Sequence, residues 1–439
     1  MSESKINEFK LDPLQLKQKK IRTNLEDLSR DELIQKIISL EVHVQQLRNV
    51  IAKNSNSDLP VALNAAKKER KFDFSNYKRR HVLLKICYFG WDYHGFAVQE
   101  DSGKTIESEL FAALHRTKLI ESREQSNYHR CGRTDRGVSA FSQVVSLDIR
   151  TNLAEGEGVY AQDSYTGSHT NIKDTEIDYC HILNRNLPDN IKVTAWAPTN
   201  TVSFSARFDC QSRTYKYFFP RGLLDLQRME DGGQNLVGSH DFRNFCKMDV
   251  NNGVVSYTRR VDALSVSCVL KEDKDKDSPY DMCVLTIVGK AYLWHQIRLI
   301  VSVLFLIGEG KEDPSVVKEL LDVEKNPQRP AYGMAADYPL NLFSCDYDGV
   351  EWNYDQLSLG FVLRTFQKMW VETNVKSQMI RSCLEDLEKH AQTPVHAQVD
   401  PLFVFKKEKV YTPLLKMPKC PSLEDKIVTV AKRRKLDID

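Results

Sequence analysis

The chain has 439 residues, 41% of them hydrophobic, with 62 basic against 60 acidic side chains and a formal net charge of +2. This length can bury two domain-sized cores, and the near balance of charge excludes a uniformly basic coat while allowing local basic clusters. The longest apolar run, Leu299 to Ile307, is too short to span a bilayer and the first residues lack an apolar leader, so a soluble intracellular protein is expected.

The 10 cysteines are scattered, with no Cys-x-x-Cys pair, and no two histidines stand at His-x-x-x-His spacing. That pattern fits reduced, buried thiols, and neither zinc nor any other cofactor is expected. Residues 1–66 read as a polar terminus, a helix over 29–53 and a linker. Leu33, Ile37, Leu40, Val44, Leu47 and Ile51 step by four and three, as the seam of a coiled coil does, and Ser29 with Glu32 forms a capping box. The same pattern also suits an amphipathic helix lying on its own domain. Between residues 67 and 80, Lys67, Lys68, Arg70, Lys71, Lys78, Arg79 and Arg80 face only Glu69 and Asp73, so seven minus two gives a local charge of +5. Phe72, Phe74 and Tyr77 are interleaved, a mixture that suits a phosphate backbone with exposed bases or, more plainly, a solvated basic linker.

The folded part begins with an apolar strand over 82–89 that ends in the loop Gly90 to Phe96. A helix follows over 106–117, with Ile106, Leu110 and Leu114 on one face. Cys131-Gly132-Arg133-Thr134-Asp135-Arg136-Gly137-Val138-Ser139-Ala140 is a tight loop holding one carboxylate between two arginines, and residues 143–149 alternate as a half-buried strand. Taken alone, such a loop is more often a turn than a site. Residues 151–177 are expected to be an inserted surface loop. In the strand 213–219, Arg213, Tyr215, Tyr217 and Phe219 share one face.

Residues 239–246 read as a capped helix start. Strands over 258–268 and 282–288 flank the charged insert 271–277. A helix over 294–307, stopped by Gly308, would bury Ile297, Ile300, Val301, Leu304 and Ile307 and would carry Arg298 inward, where it needs a carboxylate or phosphate partner. A strand over 342–347, helical pattern across 357–391 and the basic cluster Lys432 to Lys435 complete the chain. That cluster suits a nuclear address or a phosphate contact.

Gly132 to Ala140 resembles the GRTDxGVxA signature of tRNA pseudouridine synthases related to the bacterial tRNA pseudouridine synthase A. The family's further blocks follow in order: Gly90 to Phe96, Asn186-Leu187-Pro188, Phe204 to Phe208 with Arg213-Thr214-Tyr215, Gly238 to Phe242, His295-Gln296-Ile297-Arg298 and Pro330 to Gly333. Arg136 and Ser139 replace the Ala and His of the bacterial enzymes, a wording similar to the eukaryotic branch that modifies uridines 38 and 39 of the anticodon stem–loop.

The resemblance implies an α+β fold in which two halves, 67–235 and 236–350, form a mostly antiparallel sheet with helices on one side and a cleft between, followed by a helical extension over 351–439. It implies Asp135 as catalytic nucleophile or base and Arg298 as the partner that keeps it ionised and holds its pKa low. Tyr215 would stack on the target uracil, and Arg133 would fill the gap left by the flipped nucleotide. It further implies tRNA as partner; the amino-terminal heptads suggest a homodimer, as is common among members with this fold, and the basic tail permits nuclear entry, so work in nucleus and cytoplasm is expected. Two rivals of other kinds are an inactive RNA-binding protein of the same fold and a metal-dependent nuclease. The second would need several convergent carboxylates where this loop has one.

Overall fold

The computed structural model describes residues 72–98, 104–167, 173–250, 254, 256–404 and 410–434. The heptad segment and Lys67, Lys68, Arg70 and Lys71 lie outside these. In chain order the strands are β1 (Arg79–Tyr88), β2 (His129–Arg130), β3 (Ser139–Arg150), β4 (Val159–Tyr160), β5 (Ile191–Pro198), β6 (Ser212–Pro220), β7 (Gly238–Asp241), β8 (Thr258–Leu270), β9 (Met282–Gly289) and β10 (Leu340–Asp346). They pair into one ten-stranded sheet in the order β4-β1-β3-β10-β6-β9-β8-β7, with β5 also on β1 and β2 also on β3. The pairing is antiparallel except at the centre, where β3 and β10 run parallel with Ser139 opposite Asn341 and Ala140 opposite Leu342. Because these two strands start side by side, the loops that precede them are neighbours.

Among the described residues seven helices flank the sheet: α1 (Ile106–Arg116), α2 (Tyr179–Asn184), α3 (Leu226–Gln234), α4 (Gln296–Gly308), α5 (Val316–Leu321), α6 (Gln356–Glu388) and α7 (Leu423–Arg434). Two apolar cores result. One gathers β1, β3 and β5 with Leu110 and Leu114 of α1 and Leu183 of α2. The other gathers β6, β8 and β9 with α3 and α4. Tyr215 packs against both, so the junction of the halves runs beneath its ring. Helix α4 is buried along its whole length, because its apolar residues surround it rather than forming one stripe. Each of its leucines and isoleucines contributes about 1.5–3 kcal/mol of burial, and this holds the one charged side chain, Arg298, inside the fold.

Helix α6 is held at both ends. Near its start Ser358 meets Asn184 at 3.1 Å and Phe366 packs on Phe89 at 5.3 Å between ring centroids. Near its end Arg381 pairs with Glu272 at 2.8 Å, and Tyr280 donates to Glu388. It therefore reaches from the β5 side of the sheet to the turn joining β8 and β9.

Three expectations need correction. Residues 239–246 do not start an α-helix: Gly238–Asp241 pair with β8, and a single 3-10 turn, Arg243–Phe245, follows. Phe242 and Phe245 are both fully buried, and three-residue spacing is met by the tighter turn. Residues 151–177 are not all surface, since β4 adds to β1, Ile177 is in the core, and Glu176 accepts from Thr151 at 2.8 Å and pairs with Arg80 at 2.9 Å. Gly308 is the last residue of α4 rather than its stop. The left-handed turn comes at Gly310, with φ of 71°.

Candidate active site

The loop before β3 is braced on every side. Gln143, fully buried, accepts from the Gly132 N–H at 3.2 Å and donates to the Gly132 carbonyl at 3.0 Å. The Tyr88 hydroxyl lies 2.7 Å from Thr134 Oγ1. The segment Gly90 to Phe96 supplies the rest: Phe96 N–H donates to the Thr134 carbonyl at 3.1 Å, Tyr93 accepts from Gly137 N–H at 3.2 Å, and Gly90 N–H donates to Ser139 Oγ at 3.0 Å. That segment is itself tied to α1 by Glu107, whose buried carboxylate accepts from Val98 N–H at 2.8 Å and pairs with Arg130 at 2.6 Å and Arg123 at 2.9 Å. Gly137 has φ of 78°, and a Cβ there would stand 2.8 Å from Asp337 Cγ, so a side chain is excluded twice over. Asp135 thus projects from a rigid turn, with its side chain 27% exposed.

Parallel pairing of β3 with β10 brings Asp337, just before β10, against this loop. The start of α4 closes the third side. His295 caps that helix in the left-handed region, φ 62°, and its Nε2 lies 3.6 Å from Asp135 Oδ2. Arg298 is 5% exposed; its Nε donates to the Ala335 carbonyl at 2.8 Å and its nearest carboxylate oxygen, 3.8 Å away, belongs to Asp337. The expected direct pairing of Arg298 with Asp135 is therefore not made. Arg298 acts on Asp135 through its field while its ion-pair contact goes to Asp337.

Electrostatics follow from this arrangement. Burial pushes the Asp135 carboxyl up to about 6; Arg298 opposes the rise and Asp337 adds to it. The expectation of a depressed value is corrected, because desolvation of the charged form outweighs the guanidinium. Burial, with help from Arg298 and Lys247, lowers His295 to about 4. The imidazole is neutral at pH 7, so its contact with Asp135 is between a dipole and a charge. Its Nδ1 is buried without a hydrogen-bond partner.

Tyr215 is half-buried, packs edge-on against Tyr292 at 5.3 Å between centroids, and extends its hydroxyl to 3.8 Å from where a Cβ on Gly132 would lie. Burial holds its phenol well above the ordinary range. Arg133 is exposed; partial burial, and then the charges of nearby Arg130 and Arg207, lower its pKa. Lys247 sits over the Trp294 ring at 4.0 Å, and its charge acts on Asp135. Asp337 and Lys247 were not singled out in the sequence. Neither belongs to a spaced motif, and only the parallel strand pair and the turn before α4 bring them in.

The basic entry segment is more committed than its composition suggests. Arg80 is 7% exposed, donates to Glu157 O at 2.8 Å and pairs with Glu176. Lys78 donates to Ala154 O at 2.6 Å and Arg79 to Gln125 O at 2.7 Å. Phe72 and Tyr77 stack on each other at 5.2 Å, with the Arg150 guanidinium 4.9 Å from the Tyr77 ring. Of these residues Arg80 is withdrawn from solvent, so it is not an open phosphate contact.

A carboxylate raised toward neutrality beside a buried guanidinium, at the seam of a two-halved sheet, is the constellation of an enzyme working by nucleophilic or acid–base chemistry. A family profile described as tRNA pseudouridine synthase matches residues 233–348. The chain is 42% identical to a human tRNA pseudouridine(38/39) synthase, over 93% of this chain and 89% of that protein. It is 37% identical to the protein of the same name from Saccharomyces cerevisiae, over 74% and 72%, and 30% identical to the tRNA pseudouridine synthase A of Methanosarcina barkeri, over 70% and 99%. The chain belongs to the tRNA pseudouridine synthase family.

Proposed function

We propose that this enzyme converts uridine to pseudouridine at positions 38 and 39 of the tRNA anticodon stem–loop, with Asp135 as nucleophile or base. The observation that carries the reading is Asp135 itself: one partly exposed carboxylate, 27% open, on a braced turn with His295 at 3.6 Å and the charge of Arg298 acting upon it. The reaction breaks the bond from ribose C1′ to uracil N1, turns the base and joins C1′ to C5. The C5 proton is lost and N1 gains one, so atoms and electrons balance without a redox partner. A carboxylate ionised near neutral pH serves either as nucleophile or as base in such a sequence. The two positions are supported by the names of the human and yeast relatives.

Arg298 has the role of keeping Asp135 charged and aimed. Tyr215, at the junction of the cores, offers an aromatic face to the flipped uracil, and the exposed Arg133 takes the space the base leaves. Arg133, Arg207 and Lys247 add positive charge near Asp135 and its loop, in keeping with tRNA read by phosphate pattern and shape. A homodimer is favoured by the exposed apolar residues along α6, with Trp370 65%, Met379 70% and Ile380 64% exposed. The cluster from Lys432 onward is in keeping with work in nucleus as well as cytoplasm. Among the described residues no helix is long and apolar enough to cross a membrane.

Transcribed tRNA incubated with wild type and with Asp135→Asn, then mapped by carbodiimide-stopped primer extension, tests the reading. Stops at 38 and 39 with wild type alone support it. Binding by wild type without stops, or cleavage of the RNA, would overturn it.

A further inference from the structure

Three cysteines far apart in the sequence meet directly behind the Asp135 loop. Cys131 opens that loop, Cys210 precedes β6, and Cys345 lies on β10. Their sulfurs are all within 4.8 Å of one another, with Cys131 and Cys345 at 3.3 Å. They are 4%, 1% and 5% exposed. Beside them is Arg213, opposite Cys345 in the β6–β10 register and only 8% exposed. Its guanidinium donates to three neutral carbonyls, those of Cys131 at 3.0 Å, Arg207 at 3.1 Å and Lys290. A buried cation satisfied only by neutral acceptors still lacks a counter-charge, and one is expensive to omit.

We propose that Cys131, Cys210 and Cys345 bind one Zn2+ ion as three thiolate ligands, fastening the start of the Asp135 loop to β6 and β10. Three thiolates and a divalent cation sum to −1, and Arg213 brings the buried cluster to zero. Geometry allows it: zinc–sulfur bonds of about 2.3 Å place tetrahedral sulfurs about 3.8 Å apart. The set therefore needs about half an ångström of opening between Cys131 and Cys345 and up to about one ångström of closing at the wider pairs. Three protein ligands leave the fourth tetrahedral position to a small oxygen ligand, an arrangement zinc adopts in proteins. Sequence spacing could not reveal the set, because it is assembled by the β6–β10 and β3–β10 pairings rather than by a short loop. Ligands this buried take up metal as the chain folds, releasing thiol protons. The proposal is independent of which uridines are modified.

The test uses full-length protein purified under reducing conditions without a metal-affinity step. Elemental analysis is expected to give close to one zinc per chain, released by a mercurial thiol reagent. Exchange with Co2+ is expected to produce thiolate-to-cobalt charge-transfer absorption. Cys210→Ser should lower zinc content at least about tenfold, a scale set by loss of one of three ligands, while Cys383→Ser, at an exposed thiol, leaves it unchanged. Should Cys210→Ser fail to fold, the wild-type zinc content and cobalt spectrum still decide. Wild-type protein with less than about a tenth of a zinc per chain and no cobalt band, or a Cys131–Cys345 disulfide in the peptide map, would overturn the proposal.

Discussion

Asp337→Asn is the most informative perturbation of the site, because it changes the field at Asp135 without touching the reacting group. Asp135 stands at about 6 because burial raises it, Asp337 adds to the rise, and Arg298 opposes both. If the carboxylate form is required, the rate rises with pH through about 6, and at pH 5 only about one tenth of the enzyme is competent. The substitution removes a like charge and also frees Arg298 from its 3.8 Å contact. Both changes lower the Asp135 value. Removing one like charge from a partly buried pair moves a carboxyl by about one unit. At pH 5 about half of the variant would then be ionised, so its rate relative to its own plateau is about five times that of wild type. The assay is a single-turnover pH profile with tRNA tritiated at uracil C5, which releases tritium as C5 joins the sugar. An acid limb that stays in place, or moves to higher pH, would refute the reasoning even if the plateau changed.

The other expectations concern stability, backbone and binding. Asp135 has a folded value of about 6 above an unfolded 3.8, so the native state holds the extra proton between them and stability falls as pH rises through that window. Asp135→Asn should therefore be more stable at pH 7.5, by up to about 3 kcal/mol, and no more stable at pH 4; thermal melts at the two pH values decide. His295 runs the other way. With its folded value near 4 against 6.5, stability is lost as pH falls between them, and His295→Asn, which tolerates the left-handed backbone, should flatten that loss in urea titrations. Gly137→Ala, at φ 78° and 2.8 Å from Asp337, should cost about 1–3 kcal/mol and lower kcat more than tRNA affinity; unchanged melting would contradict the strain. tRNA affinity should fall steeply with salt, and Arg133→Ala should reduce the log–log slope by about one.

Much of the fold was readable because its strands carry local signals. The apolar run of β1, the alternation of β3, the β-rich runs around the charged 271–277 insert and the all-round apolar run of α4 each declare themselves within ten or so residues. The loop holding Asp135 was readable as a turn, and only the ordered series of blocks made it a site. What the sequence hid is what strand pairing decides. Parallel contact of β3 with β10 brings Asp337 beside Gly137, takes Arg298's closest carboxylate contact away from Asp135, and gathers Cys131 with Cys345. The segment 239–246 misled for a different reason. Ser239 and Asp241 resemble helix caps, yet pairing with β8 and the two buried phenylalanines decide its conformation. Likewise Arg80 looked like part of a basic surface until Glu176, from the far end of a loop, met it.

The central claim is that the Asp135 carboxylate performs the chemistry and is not merely part of the tRNA-binding surface. Tritium release from C5 of uridines 38 and 39, measured in a single turnover with saturating wild type or Asp135→Asn, tests it most directly. The account expects equal tRNA affinity and a rate at least about a thousandfold lower for the variant. A variant that binds tRNA and releases tritium within about tenfold of wild type would contradict it.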